Sequence, residues 1–168
     1  MALRLEDFVI VTQVERGPAF AASIFRRKYG PDARVPDFRH HVVAFWKRDD
    51  GSFVPASYVH LTDWNDIYVA GGACTDGDVL RSMSAAEQEA VTAAGGINFA
   101  ITRYYVDEFA PKCDALFACC GDQRSWDVVE QFGFERVRPP HLIARWSRPL
   151  APPRRHELIE KAAAFAPF

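Results

Sequence analysis

The 168-residue sequence has no long apolar run, little excess charge of either sign and few cysteines. No segment approaches the roughly 18 consecutive apolar residues that cross a bilayer, which argues against a membrane as a partner. The formal net charge is −2, whereas general nucleic-acid binders usually carry a strong basic excess. The first residues lack the apolar core of a signal peptide. We therefore expect a cytoplasmic protein that binds neither membrane nor nucleic acid.

The four cysteines show no spacing typical of a metal or redox site. They stand at positions 74, 113, 119 and 120, and no C-x-x-C pair occurs. Cys119 and Cys120 are neighbours in an apolar run, so in a strand their side chains point to opposite faces. We expect reduced, mostly buried thiols and no bound metal. The histidines at 40, 41 and 60 also lack metal-ligand spacing, and we expect them at surface or half-buried strand positions.

The rest of the composition is that of an ordinary globular protein. Hydrophobic residues make up 49% of the chain and charged residues 25%, and the length suffices to bury a sizeable core. We expect one domain over residues 1–150 and an extension over 151–168. Residues 151–153, with two prolines, are interpreted as a linker. The short terminal helix after it would pack on its own domain or on a second subunit of a homodimer.

Hydrophobic periodicity and turn residues predict an ordered series of strands and helices. The predicted strands are 8–14, 41–46, 53–61, 66–75, 115–120, a strand from 134 onward, and 141–146. The predicted helices are 19–29, 85–94, 97–109, a helix after Asp122, and 156–165. The order indicates a mixed α/β (α+β) fold, in which helices flank a largely antiparallel sheet with a late parallel βαβ crossover.

The stretch 113–134 reads as strand, loop, helix and strand. Gly121 breaks an apolar run of strand length, and Asp122 is a suitable helix cap because its carboxylate accepts hydrogen bonds from backbone N–H groups. Gly133 then stops the helix, since glycine adopts the left-handed conformation at low cost. Phe134 begins the next strand.

This stretch resembles the last conserved block of the GNAT superfamily, the acyl-CoA-dependent N-acyltransferases. The family pattern is a strand followed by Asn-x-x-Ala-x-x-Leu-Tyr-Glu-x-x-Gly-Phe. Asp122 falls on the Asn, and Glu130, Gly133 and Phe134 match. The resemblance covers residues 8–146 in element order, and it implies acetyl-CoA or another acyl-CoA as cosubstrate and a small-molecule or peptide amine as acceptor.

One departure concerns the proton donor. Val129 stands where many family members carry a Tyr that protonates the leaving thiolate. An acyl transfer here would therefore need another donor or water, and Tyr68, Tyr104 and Tyr105 are the tyrosines to consider.

The family binds the CoA pyrophosphate with an [Arg/Gln]-x-x-Gly-x-[Gly/Ala] loop at a helix N-terminus, where unpaired N–H groups face the anion. The best match places Gly96 on the first Gly, Ala93 on the Arg/Gln and Asn98 on the final small residue. The resemblance therefore implies cofactor binding by Ala94, Gly95, Gly96, Ile97 and Asn98, with Asp122 as a further candidate. In the alternative interpretation, Gly95-Gly96 is only the C-cap between two helices.

The strand 66–75 aligns with the family strand that holds the thioester. Paired glycines at 71 and 72 suggest a bulge or a close approach by a ligand. The resemblance implies that the backbone of Ala73, Cys74 and Thr75 bonds the acyl group, and that strands 66–75 and 115–120 splay apart. No Glu is present in this strand to serve as a base. Tyr68, Cys74 and Asp76 are the catalytic candidates, with structural roles as the alternative.

Two rival functions stay open at this point. A catalytically silent GNAT-fold module that binds CoA, another ligand or a protein would explain the missing Tyr, the missing Arg/Gln and the missing Glu. A Cys-His nucleophilic enzyme would need Cys74 or Cys120 close to His60 or His141, and no sequence feature brings such a pair together.

Overall fold

The computed structural model describes residues 3–37 and 40–166. Its strands are β1 (Val9–Val14), β2 (His40–Lys47), β3 (Phe53–Asp63), β4 (Ile67–Thr75), β5 (Ala115–Cys119), β6 (Glu135–Arg136) and β7 (Leu142–Trp146). Its α-helices are α1 (Gly17–Tyr29), α2 (Gly77–Ser82), α3 (Ala85–Ala93), α4 (Ile97–Phe109), α5 (Gln123–Val129) and α6 (Pro152–Ala163). Short 3₁₀ turns lie at Leu5–Asp7, Ala110–Lys112 and Glu130–Phe132.

The described strands form one seven-stranded sheet in the order β1-β2-β3-β4-β5-β7-β6. β1 pairs antiparallel with β2, and β7 pairs antiparallel with both β5 and β6. β4 and β5 are parallel, joined by a crossover that contains α2, α3 and α4. The prediction of a mixed, largely antiparallel sheet with a late parallel crossover is confirmed.

The sequence prediction and the structure differ at two places along the chain. α2 was not predicted, because it has six residues and none of them is buried, so it carries no apolar periodicity. The interpretation of residues 151–153 as a linker is wrong. Pro152 and Pro153 instead open α6, where a missing N–H costs nothing.

The described chain divides into two compact units. The first contains the residues up to His60 together with Gly72–Tyr104, and the second contains Leu61–Gly71 and the residues from Tyr105 onward. In the first unit, Ala21, Ile24 and Phe25 of α1 form a core with side chains of the sheet. The sheet residues in this core are Val43, Phe45, Tyr58 and Cys74. Phe20 of the same helix is 40% exposed and meets Phe45 edge-on at 5.3 Å.

The core of the second unit lies between the sheet and α6. It contains Ile67, Val69, Ala115, Phe117, Leu142, Ala144, Leu158 and Ala162. Leu158 and Ala162 are fully buried. Phe165, just after α6, stacks on Trp64 with ring centres 4.0 Å apart.

Acidic groups beside the parallel strand pair bind cations of α6. Arg154 donates to Asp66, before β4, at 2.5 Å and to Asp114, before β5, at 2.9 Å. Lys161 reaches Asp66 at 2.5 Å and the Trp64 carbonyl at 2.7 Å. Burial of Asp66 disfavours its charge, but the hydrogen bonds from Lys161 and Arg154 outweigh burial and hold its pKa below the usual range. α6 therefore fixes the segments that precede two adjacent strands.

A β-bulge interrupts β4 opposite β3. Near the hairpin turn, the Trp64 N–H donates to the Ile67 carbonyl, whereas at the other end the Asp76 N–H donates to the Ala56 carbonyl. The two registers differ by one residue, so β4 contains an extra residue between these ends. Gly72, with a φ of +61°, has a left-handed conformation, which glycine adopts at low cost and which one type of bulge uses.

His60 of β3 lies directly against the bulge. A Cβ added at Gly72 would be 2.5 Å from His60 Cε1 and 2.7 Å from Phe25 Cε2. His60 is 7% exposed and His41 is fully buried, so the prediction of surface or half-buried positions is wrong for both. Only glycine meets the two demands at position 72, a positive φ and an imidazole in van der Waals contact with its backbone.

We expect Gly72→Ala to lower the free energy of unfolding by about 2–4 kcal/mol, because it combines left-handed strain with overpacking against two rings. Gly51→Ala is the matched control. Gly51 also has a positive φ, of +80°, but nothing lies within 4 Å of its added Cβ. Its cost should be the conformational strain alone, about 1 kcal/mol. Urea denaturation measures both, and equal losses would contradict the packing argument.

We expect Asp66→Asn to lower the free energy of unfolding by about 1–2 kcal/mol at neutral pH, because it removes charge from hydrogen bonds to Arg154 and Lys161. The folded pKa of Asp66 is lowered, so its contribution is present above the unfolded pKa and is lost as the pH falls through the folded pKa. The difference between the wild type and Asp66→Asn should therefore shrink on acidification. Urea denaturation at pH 7 and near pH 3 tests this, and a difference that does not change with pH would contradict it.

Candidate functional site

The second half of β4 continues beyond its pairing with β5. The described parallel register joins Ile67–Ala70 to Ala115–Ala118, whereas β4 itself continues to Thr75. The described pairing therefore ends two residues before Gly72, and the splaying of the two strands stays a prediction. Ala73 and Thr75 are exposed, and Gly72 is partly exposed. This stretch can offer main-chain donors and acceptors to a ligand.

Side chains on neighbouring elements fix the shape of this stretch. Tyr29, at the end of α1, donates to the Ala73 carbonyl at 2.8 Å. The Ser57 hydroxyl donates to the Cys74 carbonyl at 3.0 Å and lies 2.9 Å from the Thr75 hydroxyl. The carbonyl groups of Ala73 and Cys74 are therefore already hydrogen-bonded within the protein. A ligand at this stretch would use the N–H groups and the partly exposed surface of Gly72.

The three residues predicted as catalytic all have structural partners. Tyr68 is 7% exposed, and its hydroxyl donates to Asp63 at 3.2 Å; burial and the nearby Asp63 charge raise its pKa to about 12. Cys74 belongs to the core of the first unit, and burial raises the pKa of its thiol to about 12. It is therefore a neutral thiol near pH 7, which confirms the interpretation of Cys74 as a buried thiol and makes it a poor nucleophile.

Asp76, the third of these residues, is the N-cap of α2. Its carboxylate accepts from the backbone N–H groups of Asp78 at 3.0 Å and Val79 at 3.3 Å. It also forms an ion pair with Arg27 at 2.9 Å. A cavity of about 240 Å³ borders Asp76 and Thr75, with Arg27 and Arg81 in its lining. It is smaller than typical small-molecule sites of about 300–1,000 Å³, and the neighbouring acids Asp76 and Asp78 pair with its arginines.

The paired glycines at 95 and 96 close α3. The Gly96 N–H donates to the Val91 carbonyl at 2.8 Å, and the Gly95 N–H donates to the Thr92 carbonyl at 3.0 Å. Both glycines have positive φ, of +84° and +95°. These two bonds form a Schellman motif, so the C-cap interpretation is confirmed and both N–H groups have partners within the chain.

The first turn of α4 still presents helical N–H groups. α4 begins at Ile97, so the N–H groups of Ile97 and Asn98 have no carbonyl four residues earlier in the helix. Arg103, one and a half turns along, lies 4.9 Å from the centre of the Phe99 ring. That ring lies 3.1 Å from the Cβ position of Gly95. The Phe99 ring therefore lies between Gly95 and the Arg103 cation near the start of α4.

Asp122 and Val129 lie in the second unit. Asp122 caps α5, accepting from the Ser125 N–H at 2.9 Å and the Ser125 hydroxyl at 2.8 Å. Its predicted capping role is confirmed, and a cofactor contact by Asp122 stays a prediction. Val129 is 8% exposed, and a valine offers no proton to a leaving group. Gly133 has the left-handed φ of +79° that was predicted.

Sequence reasoning did not assign His60 to this site. The signal was the Gly71-Gly72 pair, which indicated a bulge but not which side chain would lie against it. The strand register places His60 at Gly72, and the register becomes known only when β3 and β4 are aligned.

In the described residues, no group of three His, Cys, Asp or Glu side chains could hold a metal ion, and no described helix is long and apolar enough to span a membrane.

Comparisons with known proteins agree with this architecture. No family model matches the chain, and no curated protein sequence matches it. Among solved structures, the chain is similar to the ribosomal-protein-S18-alanine N-acetyltransferase from Escherichia coli, with a TM-score of 0.55 at 8% identity over 86% of this chain and 97% of that one. It is also similar to a proposed acetyltransferase from Pyrococcus horikoshii, with a TM-score of 0.53 at 14% identity over 77% of this chain. The match spans 44% of the Pyrococcus chain.

These similarities are in three-dimensional structure. The order of strands and helices and the bulge in β4, described above, are separate observations on this chain. The chain has the fold of the GNAT superfamily of N-acyltransferases.

Proposed function

We propose that the protein is an acyl-CoA-dependent N-acyltransferase that moves an acetyl or other acyl group to an amine of a small molecule or peptide. The observation that supports this most is the end of the β4–β5 pairing at Ala70, followed by a bulge at Gly72. Beyond the end of its pairing, a strand can offer main-chain N–H groups to a thioester carbonyl. Such fixed donors stabilise the charge that develops on that oxygen during attack.

Two groups of residues would hold the acyl-CoA. The backbone of Gly72, Ala73 and Thr75 would bind the thioester end. The N–H groups of Ile97 and Asn98, at the positive end of the α4 dipole, would face the pyrophosphate. Since the glycine N–H groups close α3, the phosphate site here depends more on the first turn of α4 and on Arg103.

The chemistry itself requires little from the protein beyond placement. A neutral amine attacks the thioester carbonyl carbon directly. Binding both reactants side by side means that the translational and rotational entropy of bringing them together is lost before the reaction step. The missing hydroxyl at Val129 leaves protonation of the thiolate to water or to another donor.

A catalytically silent CoA-binding module is the second candidate. Two observations favour it, the valine at position 129 and the internal hydrogen bonds of the Gly95 and Gly96 N–H groups. Both candidates bind CoA, and they differ in turnover. Formation of an acylated amine from acetyl-CoA separates them.

We expect acetyl-CoA to raise the melting temperature, because a ligand of the folded state stabilises it by mass action. At a concentration 100 times the Kd, the gain is about 2.7 kcal/mol, and each kcal/mol raises the Tm of a chain this size by about 2–4 °C. A thermal-shift titration with CoA and acetyl-CoA measures this. The absence of any shift at millimolar CoA would remove both candidates.

We expect Arg103→Met to weaken CoA binding about two- to fivefold, since it removes one exposed cation near the phosphate site. Arg26→Met, which removes an exposed arginine of α1, is the matched control and should leave the affinity within error. Isothermal titration of both variants with CoA provides the comparison. Equal affinities of Arg103→Met and the wild type would remove Arg103 from the phosphate site.

A further inference from the structure

A histidine is packed on the strand that would hold the thioester. The His60 imidazole lies against the backbone of Gly72, close enough that any Cβ there would overlap Cε1 at 2.5 Å. Phe25 and Tyr58 enclose it, with ring centres 6.4 Å and 5.9 Å from the centre of the imidazole. Gly72 is partly exposed. The ring is itself 7% exposed, and the bulge at Gly72 is the side from which a substrate would approach it.

The other ionisable groups around the bulge are buried or already bound to neighbouring groups. Cys74 is a buried thiol with a pKa of about 12, and Asp76 is occupied by the α2 cap and by Arg27. Tyr29 donates its hydroxyl proton to the Ala73 carbonyl, and burial raises its pKa to about 12. Imidazole is the side chain whose ordinary titration range includes neutral pH.

We propose that His60 is the general base of the acyl transfer and takes the proton of the attacking amine. This inference rests on the function proposed above and names one residue of the same site. The position of the ring against Gly72 at the bulge carries the proposal.

The step balances without any further reactant. The amine nitrogen forms a bond to the carbonyl carbon of the thioester, and its proton passes to a ring nitrogen of His60. The carbon–sulfur bond then breaks and its electron pair goes to sulfur. The imidazolium releases its proton to solvent and the thiolate takes one up, which leaves an amide, CoA thiol and neutral His60.

His41 provides a matched control on the same side of the sheet. It is also a buried histidine packed on a glycine, with its Nδ1 2.2 Å from the Cβ position of Gly17. Its Nδ1 lies 2.8 Å from the Tyr58 hydroxyl, and burial lowers its pKa. His41 belongs to β2, which β3 separates from β4. A purely structural effect of losing a buried histidine should appear in His41→Gln as well.

The test uses acetyl-CoA with two nucleophiles, ethylamine and hydroxylamine. Both nucleophiles lose an N–H proton as the amide forms. Ethylamine is strongly basic, so its nitrogen keeps that proton until a base removes it, whereas hydroxylamine is a much weaker base whose attacking nitrogen loses its proton readily to water. The acetylated products are quantified by mass spectrometry, because the exposed Cys119 would react with a thiol reagent. Circular dichroism and melting temperature establish that each variant is folded, and isothermal titration gives its acetyl-CoA affinity.

We expect His60→Gln to lower kcat/KM for ethylamine about 10²- to 10³-fold, as loss of a general base does. The rate with hydroxylamine and the affinity for acetyl-CoA should change by less than about threefold. His41→Gln should remain within about threefold of the wild type in both reactions. His60→Ala should lose ethylamine turnover, and added free imidazole should restore part of it.

Other results would overturn the proposal in distinguishable ways. A wild-type rate in His60→Gln removes His60 as the base and leaves the transferase intact. Equal losses with both nucleophiles and no rescue by imidazole assign His60 a structural role only. A wild-type protein that binds acetyl-CoA but accelerates neither reaction overturns the transferase function, and the role of His60 with it.

Discussion

The contact between the Gly72 backbone and the His60 ring is the constraint on which the candidate site depends. A bulge gives β4 one more residue than its partner, and at this bulge Gly72 has a positive φ. The neighbouring imidazole leaves no room for a Cβ at that residue. The same contact therefore fixes the identity of residue 72, the position of the histidine and the shape of the main chain that follows.

The two halves of β4 are held in different ways. Its first half is held firmly, because Ile67–Ala70 pair with β5 and the preceding Asp66 is bound by two cations of α6. Its second half continues past that pairing, and Tyr29 and Ser57 hydrogen-bond its carbonyl groups. An active site benefits from this combination, since donors that are held in place need no reorganisation when charge develops.

The glycine pair at 95 and 96 shows how one dipeptide can satisfy two patterns. Its spacing resembles a phosphate-binding loop, and its geometry is a Schellman motif that ends α3. Both interpretations place the start of α4 directly after it. The N-terminus of α4 therefore remains a candidate anion site, whereas the glycine N–H groups are already bonded to carbonyl groups of α3. Nearby, Arg103 stacked on Phe99 supplies a positive charge that the loop sequence itself lacks.

Local sequence signals determined most elements of the fold. The apolar face of α4, the capping box of Ser84 and Glu87, and the left-handed Gly133 depend on neighbours within a few residues, so they can be read directly. The order of these elements was sufficient to indicate the GNAT fold. Tertiary structure alone decided which side chains meet, such as His60 with Gly72 or Lys161 with Asp66. Those contacts depend on strand register and on packing between distant segments, and no local pattern encodes either.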